Sequence, residues 1–176
     1  ITSQNPIPVR PRRMPEAIPD LVESMEEPHG SFFVQDVYQG NSTVERGSIH
    51  RLRVVGVLPK LQPQMNSPVL GVSREDTGKV ILGTVPVRAD GSAYFKVPSG
   101  ISVFFQVLDE KGLAVRTMRS LTYVQPGRTL ACVGCHESRD STPPVAEISD
   151  AITTDPDRLV LDPEGSWPLR YDRLVQ

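Results

Sequence analysis

Residues 79–118 read KVILGTVPVRADGSAYFKVPSGISVFFQVLDEKGLAVRTM, and in this segment short apolar runs alternate with turn residues. The runs are rich in Val, Ile, Phe and Tyr, which favour strands. Between them lie Asp90-Gly91, Pro98–Gly100 and Glu110–Gly112, and Gly, Pro and Asp supply the backbone angles that tight turns need. Since no amphipathic helical stretch separates the runs, the segment predicts an antiparallel β-sandwich rather than an α/β sheet.

Alternation within one run supports this fold. In residues 92–97, Ala93, Phe95 and Val97 fall on one face of an extended chain, and the polar residues fall on the other. A strand with one buried and one solvated face is what a sandwich requires. The same composition extends outward and predicts eight strands: Phe32–Tyr38, Ile49–Leu58, Val69–Ser73, Lys79–Arg88, Ala93–Val97, Val103–Leu108, Ala114–Met118 and Leu121–Val124.

The two ends of the chain differ from its centre. Residues 1–30 hold six of the 17 prolines, which indicates an extended Pro-rich arm or linker. Residues 31–137 are predicted to form the β-sandwich, and residues 138–176, again proline-rich, an irregular wrapping tail or a linker to a following domain. Because the N-terminus has no initiating Met and no apolar signal core, we expect the chain to be a piece of a longer protein.

Charge and hydropathy exclude two classes of partner. Nineteen basic residues against 21 acidic ones give a net charge of -2, so a phosphate backbone finds no basic surplus and nucleic acid is not expected as a partner. The apolar runs are far shorter than the roughly 20 residues that span a bilayer. No transmembrane segment is therefore predicted.

Both cysteines lie in the motif Cys132-Val133-Gly134-Cys135-His136, a complete CxxCH. Two thiols at this spacing can reach the two vinyl groups of one porphyrin, while the next residue directs an imidazole at the iron. The motif predicts one covalently attached haem c, with Cys132 and Cys135 as thioether residues and His136 as iron ligand. Haem c chemistry in turn predicts a periplasmic or otherwise extracytoplasmic location.

Three other kinds of site can use two cysteines at this spacing. A redox dithiol usually opens a helix in a thioredoxin-like unit, which the flanking sequence lacks. A zinc site needs four ligands, and the chain has only two further histidines and no second CxxC. A purely structural cysteine pair leaves the adjacent His136 unexplained.

The spacing of the candidate residues in the sequence does not identify the sixth iron ligand. Candidates are the remaining histidines and the methionines: His29, His50, Met14, Met25, Met65 and Met118. Met118 precedes Cys132 by 14 residues, so that a reversal of the chain brings it over the haem, although ordinary core packing is the commoner role for such a Met. A five-coordinate iron would instead leave a position for a small nitrogen or oxygen ligand.

Arginines surround the motif and are suited to the carboxylates of haem propionates. Guanidinium groups bind carboxylates in bidentate geometry, and Arg119 is the predicted anchor among the candidates Arg116, Arg119, Arg128 and Arg139. Tyr123 is a further candidate contact, either as a hydrogen-bonding neighbour or as a packing aromatic.

Four motifs, DGSAYFKVP, QVLDEKG, MRS and CVGCHE, together resemble the middle domain of the hydrazine synthase alpha subunit and related large multidomain cytochromes of planctomycete-type bacteria. The resemblance covers roughly Ser31 to Glu137. It implies a preceding β-propeller, a following haem-bearing segment, and thioether links at Cys132 and Cys135. The C-terminal SWPLRYDRLVQ resembles the lead-in to that later segment.

One departure from the family concerns the iron ligand. In the synthase, a tyrosine just past the motif ligates the catalytic haem and the motif histidine is turned to zinc. Here residues 137–140 are Glu, Ser, Arg and Asp, and the next tyrosine is Tyr171. The resemblance therefore does not extend to that ligand set, and ordinary His136 ligation is expected.

Three functions follow from these observations. The first is a c-type cytochrome domain that transfers single electrons to or from other haem domains or redox partner proteins within a larger multihaem protein or complex. The second is a catalytic, five-coordinate haem domain of a hydrazine-synthase-like oxidoreductase. The third is a non-catalytic assembly module in which the haem is structural.

Overall fold

The chain is described by a computed structural model that covers residues 10–11, 13–14, 16, 28–40, 43–61, 67–135 and 148–161. This part contains seven strands and a single-turn 3-10 helix, Asp150–Thr153. The strands are β1 (His29–Val34), β2 (Arg51–Leu58), β3 (Gly78–Pro86), β4 (Ala93–Pro98), β5 (Ser102–Leu108), β6 (Ala114–Thr117) and β7 (Thr129–Cys132). The predicted mainly β architecture is confirmed.

The strands form two sheets, ordered β4-β1-β7 and β3-β2-β5-β6. Four of the five pairings are antiparallel, as predicted, but β7 runs parallel to β1, with Cys132 opposite Val34. The prediction of a purely antiparallel fold was wrong at this strand. A tight turn forces antiparallel pairing, whereas β7 follows β6 through residues 118–128, which is long enough for the chain to return in either direction.

The sheets share one apolar core. Phe32, Phe95 and Phe105 form its aromatic centre, with ring centroids 5.1 to 6.0 Å apart. The predicted inward face of β4 is confirmed, because Ala93, Phe95 and Val97 are all essentially inaccessible to solvent. Burying a Val or Phe side chain stabilises the fold by roughly 1.5–3 kcal/mol.

The predicted turns are present, but two of them join different sheets. At Asp90-Gly91 the N–H of Gly91 donates to Arg88 O, and Gly91 has a φ of +90°, an angle that glycine adopts at little cost. This turn leads from β3 to β4, which lie in separate sheets. Residues 98–100 likewise lead from β4 to β5, so only the turn at 110–112 closes a hairpin, between β5 and β6.

Two of the predicted strands were wrong. Val69 and Val72 are exposed, and Leu70 makes only an isolated bridge to Glu75, so no sheet buries this apolar run. Residues 121–124 form no strand either, since Thr122 makes an isolated bridge to Val103. Strand β7 was not predicted, because its Thr129–Cys132 sequence carries no clear alternation.

Residues 148–161 close one side of the core. The N–H of Asp157 donates to Tyr94 O in β4, and Val160 exchanges two backbone hydrogen bonds with Thr84 in β3. Arg88 adds an ion pair to Asp157 at 2.9 Å. This segment therefore covers edge strands β3 and β4, while β6 and β7 form the edges on the other side. The other residues of the predicted arms, 1–30 and 138–176, lie largely outside the described residues.

Asp90 attaches the 3-10 turn to the rest of the fold. Its carboxylate accepts hydrogen bonds from the Asp150 N–H at 2.7 Å and from the Ser92 hydroxyl at 2.6 Å. Partial burial acts to raise the pKa of Asp90, but the hydrogen bonds from Ser92 and Asp150 outweigh it and lower the pKa below its ordinary value of 3.8. The folded state therefore favours the ionised carboxylate.

A pH dependence of stability follows. Because the folded-state pKa lies below the unfolded one, the contribution of Asp90 is present above about pH 4 and is lost as pH falls through the folded-state pKa. Urea unfolding of the wild type and of Asp90→Asn should show the wild type to be the more stable at pH 7, with a smaller difference at pH 3. A difference that stays constant or grows on acidification would contradict this assignment.

No helix among the described ranges is long and apolar enough to cross a membrane.

Candidate functional site

The CxxC segment begins where β7 ends. Cys132 is the last residue of β7, and two backbone hydrogen bonds continue past it, from Gln35 N–H to Cys132 O at 2.9 Å and from Asp36 N–H to Val133 O at 3.2 Å. The segment is thus held against the chain that follows β1. His136 lies outside the described residues.

A cavity of about 390 Å³ opens beside the two cysteines. Its wall combines buried core residues from β1, β2 and β5 with residues of β6, the segment after β6 and the CxxC segment. The lining residues are Val34, Gly40, Leu52, Phe105, Val107, Arg116, Thr117, Met118, Arg119, Ser120, Cys132, Gly134 and Cys135. The cavity therefore reaches into the core on the side of β6 and β7, opposite the side covered by residues 148–161.

Both cysteines are free thiols. The pKa of Cys135 is raised from 9.0 to about 11, first by desolvation, then by Cys132 and the Asp36 carboxylate, with a smaller opposing effect of Arg116. Part of Cys135 is exposed to solvent, but protein atoms partly bury its thiol group. A thiol with this pKa is protonated at neutral pH, whereas a reactive dithiol of the thioredoxin type depends on a lowered pKa.

The zinc alternative finds little support in this part of the chain. Among residues 28–40, 43–61, 67–135 and 148–161, no group of three or more His, Cys, Asp or Glu side chains could hold a metal ion. Structural zinc sites use four protein ligands. The described residues thus offer Cys132 and Cys135 no third ligand of that kind.

The structure brings two of the predicted contact residues to the cavity. Met118 is half-buried and Arg119 exposed, and both line it. The Met118 N–H donates to Phe105 O at 2.8 Å, which fixes its backbone beside β5. Tyr123 is 56% exposed and is not among the lining residues.

The other candidate iron ligands lie away from the cavity. His29 begins β1, whose other end, Val34, pairs with Cys132. Five residues of extended strand, about 17 Å, separate the two ends. His50 is exposed just before β2, and Met14 is exposed. The remaining iron-ligand candidates, Met25 and Met65, lie outside the described residues, as does the propionate candidate Arg139.

Sequence reasoning missed the inner wall of the cavity. Val34, Leu52, Phe105 and Val107 were predicted as strand residues, with no sign that they face a cavity rather than a filled core. The pairing of β7 with β1 was the missing information, since it places Cys132 next to Val34. A parallel pairing between distant segments leaves no local signal in the sequence.

The family model described as the hydrazine synthase alpha subunit middle domain matches residues 47–137, which run from just before β2 through the CxxCH motif. The hydrazine synthase subunit alpha of Kuenenia stuttgartiensis is 32% identical over 108 residues, which is 61% of this chain and 13% of that protein. The chain thus spans a small part of this relative's length.

A solved structure shows the same fold. The Kuenenia stuttgartiensis hydrazine synthase matches 76% of this chain and 21% of its own, with a TM-score of 0.59 and 23% sequence identity. At this identity the likeness shows the fold alone. The family model covers 91 of the 176 residues, including both cysteines and the strands β2, β5 and β6 of the cavity wall, and the chain therefore belongs to the family of the hydrazine synthase alpha subunit middle domain.

Proposed function

We propose that this domain carries one covalent haem c and transfers single electrons within a larger multihaem protein or complex. The observation that supports this best is the cavity, because both cysteines of the CxxCH motif lie in its wall and the buried Leu52 and Val107, with the half-buried Phe105, form its inner surface. When bound, a haem supplies an iron that cycles between two oxidation states at a potential set by its ligands and surroundings.

The lining residues fit the chemistry of a porphyrin. The macrocycle is apolar and needs an apolar slot, which the residues of β1, β2 and β5 provide. Its propionates are carboxylates and need cations, and Arg116 and Arg119 line the same cavity. Arg116 donates to the Thr43 hydroxyl at 2.8 Å, which orients its guanidinium. We assign propionate binding to these two arginines.

The iron ligands are assigned from the motif and from the cavity wall. His136 follows Cys135 directly and is the proposed axial ligand. Met118 is the candidate that lines the cavity, whereas His29 and His50 do not. We therefore favour Met118 as the sixth ligand, the arrangement that raises the potential in cytochromes of the Met/His type. Such a domain would act outside the cytoplasm, with other haem domains or redox proteins as partners.

A catalytic haem is the second candidate, and family membership favours it. The matched relative is named hydrazine synthase subunit alpha. If Met118 did not reach the iron, a small nitrogen or oxygen species would have access through the cavity, and the domain would act as a haem oxidoreductase. The covalent attachment residues would be the same in both functions.

The proposal is tested by producing residues 1–176 with a c-type maturation system and recording a pyridine haemochrome spectrum, followed by carbon monoxide titration of the reduced protein. We expect one haem per chain that resists acid–acetone extraction, and little carbon monoxide binding. Strong carbon monoxide binding would move the assignment to the catalytic haem. A protein without an extraction-resistant chromophore would refute both.

A further inference from the structure

Gly134, between the two cysteines, lies unusually close to another part of the backbone. A Cβ atom added there would be 2.5 Å from both Cβ and O of Gln39 and 3.0 Å from Asp36 O. The φ of Gly134 is not in the left-handed region, so its backbone geometry is open to any residue. Glycine is thus required because it has no side chain. The absence of a Cβ lets the CxxC segment lie directly on residues 35–40.

Residues 35–40, here named the 35–40 turn, are themselves firmly held. The Asp36 carboxylate accepts the Tyr38 N–H at 3.0 Å and forms an ion pair with Arg46. Arg46 also lies over the Tyr38 ring, 4.8 Å from its centroid. The Tyr38 hydroxyl accepts the N–H groups of Gly47 at 2.8 Å and Ile49 at 3.0 Å.

The CxxC segment is joined to this turn from Cys132 through Gly134. Cys132 O and Val133 O accept the N–H groups of Gln35 and Asp36, and the backbone of Gly134 packs on Gln39. Three consecutive residues are therefore fixed relative to the turn. A four-residue segment with three residues fixed leaves little freedom for the distance between the sulfurs of its ends.

We propose that the 35–40 turn is a template that sets the relative position of the Cys132 and Cys135 sulfurs, and that Gly134 and Tyr38 are positioning residues for it. The proposal rests on the proposed function for its purpose, since two thiols must meet two vinyl groups of one porphyrin. Its physical content is preorganisation, in which the folded apoprotein has already lost the freedom that binding would otherwise remove.

A haem-free measurement tests the template directly. Phenylarsine oxide condenses with two thiols, forming two As–S bonds and releasing one water, and its affinity depends on how well the two sulfurs are placed. We expect Gly134→Ala to weaken its binding to the reduced apoprotein by about 5- to 10-fold, or roughly 1–1.4 kcal/mol. The matched control is Val133→Ala, which leaves the spacing and the backbone bonds unchanged and should bind like the wild type.

Tyr38→Phe gives a second, milder test at a distance from the motif. It removes only the hydroxyl, keeps the ring under Arg46, and should weaken arsenical binding in the same direction, while circular dichroism verifies the fold of each variant. Equal affinity of the wild type and a folded Gly134→Ala or Tyr38→Phe variant would overturn the template. If Gly134→Ala does not fold, Tyr38→Phe decides the question.

The haem-loaded protein provides a readout that mere folding would not change. We expect Gly134→Ala, but not Val133→Ala, to shift the reduction midpoint potential and to yield a fraction of haem bound through a single thioether, visible as a displaced haemochrome band. An unshifted potential with two intact thioethers would refute the positioning role. Should the wild type take up no haem, the proposed function fails, while the arsenical affinities still decide on the template.

Discussion

Replacing Cys132 and Cys135 together with alanine is expected to remove the covalent chromophore completely from protein made with a c-type maturation system. A thioether cannot form without a sulfur, and these are the only two cysteines in the chain. Each single replacement should leave haem attached through one thioether and shift the pyridine haemochrome band, because one vinyl group stays conjugated with the porphyrin. Acid–acetone extraction followed by absorption spectroscopy separates the three outcomes.

The control is Ser120→Ala, which changes a polar residue of the same cavity wall without touching a sulfur. It should retain the full covalent chromophore. The raised pKa of Cys135 also makes its thiol slow to react with alkylating reagents at neutral pH. Extraction-resistant haem in the double variant would show that attachment does not use these cysteines.

The parts of this fold that could be predicted from the sequence are those with local causes. The alternation of Ala93, Phe95 and Val97 predicts a single strand with one buried face. Asp90-Gly91 predicts a single tight turn, because these residues readily adopt its backbone angles. The CxxCH motif is local as well, because its chemistry depends on spacing within five residues. Each of these can be recognised without knowing which other segment lies beside it.

The parts that could not be predicted depend on pairings between distant segments. Strand β7 was missed because Thr129–Cys132 has no clear alternation and only Thr129 favours a strand. It exists through its parallel pairing with β1, about a hundred residues earlier in the chain. The same pairing places the cysteines over Val34 and the 35–40 turn. The cavity wall and the role of Gly134 could therefore not be read from the motif alone.

Phe95→Ala is expected to destabilise the apoprotein by about 3–5 kcal/mol, the range found for truncating a fully buried phenylalanine. The side chain has no solvent exposure, and its ring centroid lies 6.0 Å from that of Phe32 and 5.6 Å from that of Phe105. It lies where the two sheets meet, so its loss leaves a cavity that neither sheet can fill without moving. Urea unfolding followed by circular dichroism measures the change.

Two variants separate this packing effect from a general weakening of β4. Phe95→Leu keeps most of the buried volume and should lose clearly less stability than Phe95→Ala. Tyr94→Ala truncates a half-buried aromatic side chain on the opposite face of the strand, where its ring contacts Phe33. Because Phe105 both contacts Phe95 and lines the cavity, Phe95→Ala should in addition lower the yield of haem-loaded protein more than Tyr94→Ala does. If Tyr94→Ala cost as much stability as Phe95→Ala, the aromatic centre would not be what holds the two sheets together.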